Sequence, residues 1–156
     1  MQLSRALCCS LLIGLLWQVT PGAAQAPPSE TPLDQYLKKP DDSYTWKIIS
    51  EKSVDGNRMI VVDMISQTWR TKEEVNRTQW QHWLTLCIPD KVASPTALLF
   101  IGGGANGREP PAGPSDRVLQ ITKATGAMVA ELHMLPNHPL IFQHDWKMRT
   151  HDDLIG

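Results

Sequence analysis

The residues best placed for chemistry are the glycines that close Thr96 to Gly107, Thr-Ala-Leu-Leu-Phe-Ile-Gly-Gly-Gly-Ala-Asn-Gly, where an apolar run meets a glycine cluster. Backbone without side chains at the end of a strand leaves N–H groups bare, and bare amides bind an anion or a developing oxyanion. Three readings follow. Gly102, Gly104 and Gly107 spell G-x-G-x-x-G, with Glu131 lying 24 positions past Gly107, near where a ribose-binding acid stands in a dinucleotide fold. Alternatively, the loop is the oxyanion side of an α/β-hydrolase, where an N–H after the third strand completes the hole, often in an HGGG-type motif. Finally, it is a tight turn with no chemistry.

The dinucleotide reading needs its third glycine inside a helix that starts at the loop, so that the helix N-terminus meets the pyrophosphate. Arg108-Glu109-Pro110-Pro111-Ala112-Gly113-Pro114 stands in the way. The hydrolase reading fits the order of elements, although Ile101 holds the place of the HGGG histidine. Gly103 and Gly104 are its candidate oxyanion donors.

A second group is His133, His138, His144 and His151 with Asp145, Asp152 and Asp153. Their spacing matches no helical or Cys/His ligand signature, so polar loops around Pro136 and Pro139 are expected, with no metal and no cofactor. Trp46, Trp69, Trp80, Trp83 and Trp146 either line a ligand groove or pack the core and sheet faces; Trp80 and Trp83 fall on opposite faces of a strand. Asn76-Arg77-Thr78 is a glycosylation acceptor in a polar loop.

The elements that must position these residues are legible in the pattern. Thr31 caps a short helix with Pro32 in its first turn, stopped by Pro40. Tyr44–Glu51 and Arg58–Ser66 read as a β-hairpin turned at Asp55-Gly56-Asn57, and His82–Ile88 as a third strand. Thr96–Ile101 is apolar on both faces, which predicts a buried parallel strand. Ser115 caps a helix with Val118, Leu119, Ile121 and Thr122 on one face, closed by Gly126, and Ala127–Met134 is a fifth strand. The expectation is a mixed α/β sheet: antiparallel strands first, then a parallel βαβ unit with a right-handed crossover.

Of the 156 residues, Met1 to Ala24 read as a secretory signal: Arg5 is the positive n-region, Ala6–Trp17 the apolar stretch, and Gly22-Ala23-Ala24 the cleavage site. The apolar stretch is shorter than the roughly 20 residues of a spanning helix, so no stable membrane anchor is expected after cleavage. Residues 25–40 form a leader with the short helix, and residues 41–156 one domain. Losing Arg5 leaves 14 basic against 16 acidic residues, a net charge of −2, with no basic block to attract nucleic acid. Cys8 and Cys9 fall in the signal, leaving Cys87 alone on an apolar strand as a buried small hydrophobe.

Ser66-Gln67-Thr68-Trp69-Arg70, Gln81-His82-Trp83-Leu84-Thr85, Ile88-Pro89-Asp90-Lys91-Val92 and the glycine run together resemble the opening segment of the PhoPQ-activated pathogenicity-related proteins. That family also includes secreted autocrine proliferation repressors. The resemblance, from about Thr31 to Gly156, implies an α/β-hydrolase-like fold in a secreted protein, periplasmic or envelope-bound if the source is bacterial.

Such a fold cuts bonds with a serine in G-x-S-x-G, then an acid, then a histidine. None of Ser29, Ser43, Ser50, Ser53, Ser66, Ser94 and Ser115 lies in that motif. The chain is therefore expected to be the N-terminal part of a longer protein, an incomplete α/β-hydrolase-like domain without its nucleophile. Two functions stand: a serine-type hydrolase when complete, or a catalytically silent secreted signalling or binding protein. The substrate or receptor is not encoded in these motifs.

Overall fold

The computed structural model describes residues 29–150 and 153, and divides the chain into two units, 1–39 and 40–156. The signal segment 1–24, with Cys8 and Cys9, and also His151 and Asp152, lie outside the described residues. In the first unit α1 spans Pro32–Leu37, and Thr31 caps it reciprocally: its Oγ1 accepts from the Asp34 N–H while Asp34 accepts from the Thr31 N–H.

The second unit is mainly β. Strands β1 (Thr45–Val54), β2 (Asn57–Thr68) and β3 (Gln79–Pro89) run antiparallel, followed by β4 (Leu98–Ile101), α2 (Asp116–Thr125) and β5 (Val129–Leu132). The sheet order is β1-β2-β3-β5-β4, with β5 antiparallel to β3 and parallel to β4. The first hairpin is tighter than expected. Asp55 and Gly56 turn it alone, both with positive φ as a two-residue primed turn requires, and Asn57 already belongs to β2.

Helix α2 packs on β3 and β5. Cys87, Val118 and Val129 are fully buried there, with Phe100, Leu119 and Ile121 closing around them. Alternation places Leu84 and Leu86 on the other face of β3, where an apolar groove of ≈ 290 Å³ runs past Trp46, Ile48 and Met64. Trp46 is 57% exposed on that face and Trp146 75% exposed on a turn, so neither joins the core. Trp69 instead packs edge-on to Trp80 and Phe142.

The expectation of a buried glycine strand is also corrected. β4 lies at the edge of the sheet, and Leu99 and Ile101 are 52% and 66% exposed. Only Phe100 turns into the core, under the Arg117 guanidinium at 4.2 Å. The segment around Pro139, expected as loop, holds a small hairpin of β6 (Leu140–Ile141) and β7 (Met148–Arg149).

Candidate functional site

Two loops leave the sheet side by side, at the C-terminal ends of the parallel strands β4 and β5. The glycine run follows Ile101, and His133 to Pro139 follows Leu132. Backbone bonds continue the ladder past both strand ends: Gly102 N–H to Leu132 O at 2.7 Å, Met134 N–H to Gly103 O at 3.0 Å, Leu135 N–H to Gly102 O at 3.2 Å. The stitching favours glycine at Gly104, whose φ is +126°, whereas a Cβ on Gly102 would make only an ordinary contact, 3.4 Å from Leu132 O.

These bonds engage the Gly102 N–H and the carbonyls of Gly102 and Gly103, whereas the Gly103 and Gly104 N–H groups donate to no acceptor among the described residues. Both glycines line a cleft of ≈ 390 Å³ with Trp83, Arg108, His133 and Met134. Trp83 fixes the far wall, its indole N–H donating to Arg108 O at 2.9 Å. Ladder strands, bare amides and a cleft at the carboxyl ends of the strands form the usual setting of a ligand site in a sheet containing parallel strands.

The second loop is held from β3. Asn137, fully buried, accepts from the Gln81 N–H and donates to the carbonyls of Gln81 and Met134. His82, also buried, contacts Ser66 Oγ through Nε2 at 2.9 Å and His133 O through Nδ1 at 3.2 Å. Both bonds are satisfied by the tautomer carrying its proton on Nδ1, with the Ser66 hydroxyl donating to Nε2. Burial pushes the His82 imidazole below its ordinary value, only partly opposed by its bonds to the His133 and Met134 backbone. His82 is 1% exposed and acts as a clamp on the loop, with half-buried Ser66 as its partner on β2.

Glu131 and His133, two apart on β5 and its extension, fall on the α2 face. Glu131 is 8% exposed; its Oε1 meets Arg117 at 3.4 Å and its Oε2 stands 3.7 Å from His133 Nε2. Neither Oε2 nor Nε2 has a hydrogen-bond partner among the described residues, although both are buried. Orphaned buried polar atoms each cost about 1–3 kcal/mol, which makes the pair an energetic irregularity inside the cleft wall.

The remaining expected residues disperse. His138 is buried where its carbonyl accepts from the Asn106 N–H, and His144 stacks edge-on to Phe142 beside the Asp145–Arg149 ion pair. Among the described residues no three His, Cys, Asp or Glu side chains gather as a metal site would require. Gly107 stands well ahead of α2, with a proline-rich loop between, so no helix N-terminus meets the glycine run. Asn76 is exposed, and its Oδ1 accepts from the Ile141 N–H at 2.9 Å. In the sequence Ser66 and His82 stand only within motifs that mark a family, and Asn137 carries no signal at all. Glu131 and His133 are each candidates there, and their spacing of two on a strand is the available sign of a shared face.

Comparison with known proteins places the chain. Residues 33–156 match the family model of the PhoPQ-activated pathogenicity-related protein. The chain belongs to that family. It is 32% identical over 127 residues to autocrine proliferation repressor protein A of Dictyostelium discoideum, a match covering 81% of this chain and 26% of that protein. The chain therefore spans about a quarter of that relative's length. A glucuronoyl esterase from Solibacter usitatus aligns at a TM-score of 0.38 and 12% identity, over 61% of this chain and 30% of the esterase. A likeness that weak carries no argument about either fold or activity. Within the PhoPQ-activated family, then, this chain contributes the glycine run, the cleft and the two loops that shape it. No described helix is long and apolar enough to cross a membrane.

Proposed function

We propose that this chain is the oxyanion side of an exported serine-type hydrolase with an α/β-hydrolase-like fold, whose nucleophile, acid and base lie outside these 156 residues. The observation that carries the reading is the pair of unspent amides, Gly103 and Gly104, on the wall of the cleft at the ends of β4 and β5. Amides fixed by their own backbone stabilise a developing oxyanion without reorganising, and one such donor is worth about 3–4 kcal/mol of barrier. The order β1-β2-β3-β5-β4, with β5 antiparallel to β3 and parallel to β4, supports the hydrolase-like fold. The signal-like Met1–Ala24 supports export, and exposed Asn76 is the proposed glycan acceptor in a eukaryotic source. No cofactor enters the proposed chemistry.

A second reading is favoured by the relative named as a proliferation repressor: a secreted signalling protein on the same fold without catalysis. A fluorophosphonate probe separates the two in the longest natural form that carries this chain. The hydrolase labels on the serine of its G-x-S-x-G elbow, and replacing that serine abolishes labelling. Labelling that persists without the serine, or never occurs, removes the enzyme reading.

A further inference from the structure

We propose that the glycine cleft binds a carboxylate, gripped jointly by the Gly103 and Gly104 amides and by a protonated His133 that Glu131 holds in place. The inference rests on the cleft described above as the oxyanion site but requires no nucleophile. Its starting point is the unsatisfied pair. Glu131 Oε2 and His133 Nε2 are buried, face each other at 3.7 Å and have no hydrogen-bond partner among the described residues. With neutral imidazole bearing its proton on Nδ1, two acceptors would face each other. With a proton on Nε2, a small approach closes a charge-assisted bond and satisfies both atoms.

The other edge of the ring lies against the glycine run, since a Cβ built on Gly102 would come within 3.9 Å of His133 Nδ1. A doubly protonated His133, with Nε2–H committed to Glu131, keeps Nδ1–H as a donor on the side of the loop. His133, Gly103 and Gly104 all line the same cleft, so three N–H donors border one space.

Charge selects the ligand. The ionisable groups around His133 are Glu131 on its own strand, Arg117 from α2, and Arg108 and Glu109 from the loop after the glycines. With His133 protonated, three positive groups face two negative ones. A surplus of one charge suits a monoanion better than a phosphate dianion. Trp83, Pro111 and Met134 give the cleft apolar flanks, which fits a carboxylate carried on a ring or short hydrocarbon.

The test is a titration of the longest natural form that carries this chain with sodium benzoate, read by NMR at the Gly103 and Gly104 amides and the His133 ring. Benzamide, the neutral analogue, and inorganic phosphate serve as the other arms. Saturable shifts with benzoate and an at least tenfold weaker response to benzamide are expected. His133→Gln and Glu131→Gln should each weaken benzoate binding severalfold. A benzoate response that does not saturate, or is matched by benzamide, overturns the proposal; so does tighter binding of phosphate. Benzoate binding without phosphonate labelling would reject the hydrolase reading alone, and labelling without benzoate binding would reject this inference alone.

Discussion

The side-chain amide of Asn137 pairs with the backbone of Gln81 as a neighbouring strand would: Oδ1 accepts from the Gln81 N–H at 2.9 Å, and Nδ2 donates to the Gln81 carbonyl at 3.0 Å. The same Nδ2 donates to Met134 O at 2.9 Å, so one buried residue ties β3 to the loop that walls the cleft. Asn137→Ala removes all three bonds and leaves buried partners unpaired. At about 1 kcal/mol per bond, and more for each orphan, it should cost about 3–5 kcal/mol in urea unfolding. A loss below about 1 kcal/mol would mean the loop is held by something else.

Acid should loosen the same loop through His82. Burial lowers its affinity for protons in the folded state, so the unfolded chain binds the proton more readily. The stability from neutral His82 is therefore fully present above about pH 6.5, its ordinary value, and is lost as pH falls toward the folded value. Asp145, held below the ordinary carboxylate range first by its hydrogen bonds to Arg149, has the same sign but a lower window. The first acid transition thus belongs to His82. Thermal melts should show a falling melting temperature from pH 6.5 to pH 5, and His82→Gln should flatten that slope. An unchanged slope in the variant would contradict the assignment.

Gly126 and Gly107 both have positive φ, at +64° and +75°, but their surroundings differ. A Cβ on Gly126 would stand 2.8 Å from Ala93 Cβ, while one on Gly107 meets nothing within 4 Å. Gly107→Ala should cost only the left-handed penalty of about 1–2 kcal/mol. Gly126→Ala adds the clash and should cost at least about 2 kcal/mol more, measured by chemical denaturation. Equal losses at the two sites would mean that the Ala93 contact relaxes without penalty.

The edge strand β4 makes the chain prone to self-association. Leu99 and Ile101 are exposed on a strand whose outer edge has no partner among the described residues, an arrangement that templates strand addition. Residues 25–156 produced alone should aggregate or melt without a sharp transition, and Leu99→Lys should raise the monomer fraction in size-exclusion chromatography. A wild-type monomer with a cooperative melt would refute this.

Much of the fold is written locally. Asp55-Gly56 supplies both positive φ values of the turn, Thr31 and Ser115 cap the helices, and Gly126 closes α2 in the left-handed conformation. Exposure was less legible. The apolar run of β4 announced a strand buried on both faces, but burial depends on what lies beside it, and β4 is at the sheet edge. The cleft was legible by halves: the glycines showed as a motif, whereas Asn137 and His82 act across 56 and 51 residues of chain and leave no local pattern. Glu131 and His133 were visible as residue types; their meeting, with Arg117 of α2 on the other carboxylate oxygen, depends on how the helix lies over the sheet.

The central claim is that the Gly103 and Gly104 amides receive an oxyanion. Its most direct measurement is a crystal structure of the longest natural form carrying this chain, after reaction with a fluorophosphonate. The account predicts the phosphoryl oxygen of the serine adduct within about 2.7–3.1 Å of one or both of these amide nitrogens. An adduct whose oxygen is bound elsewhere, with both amides facing solvent, would contradict it.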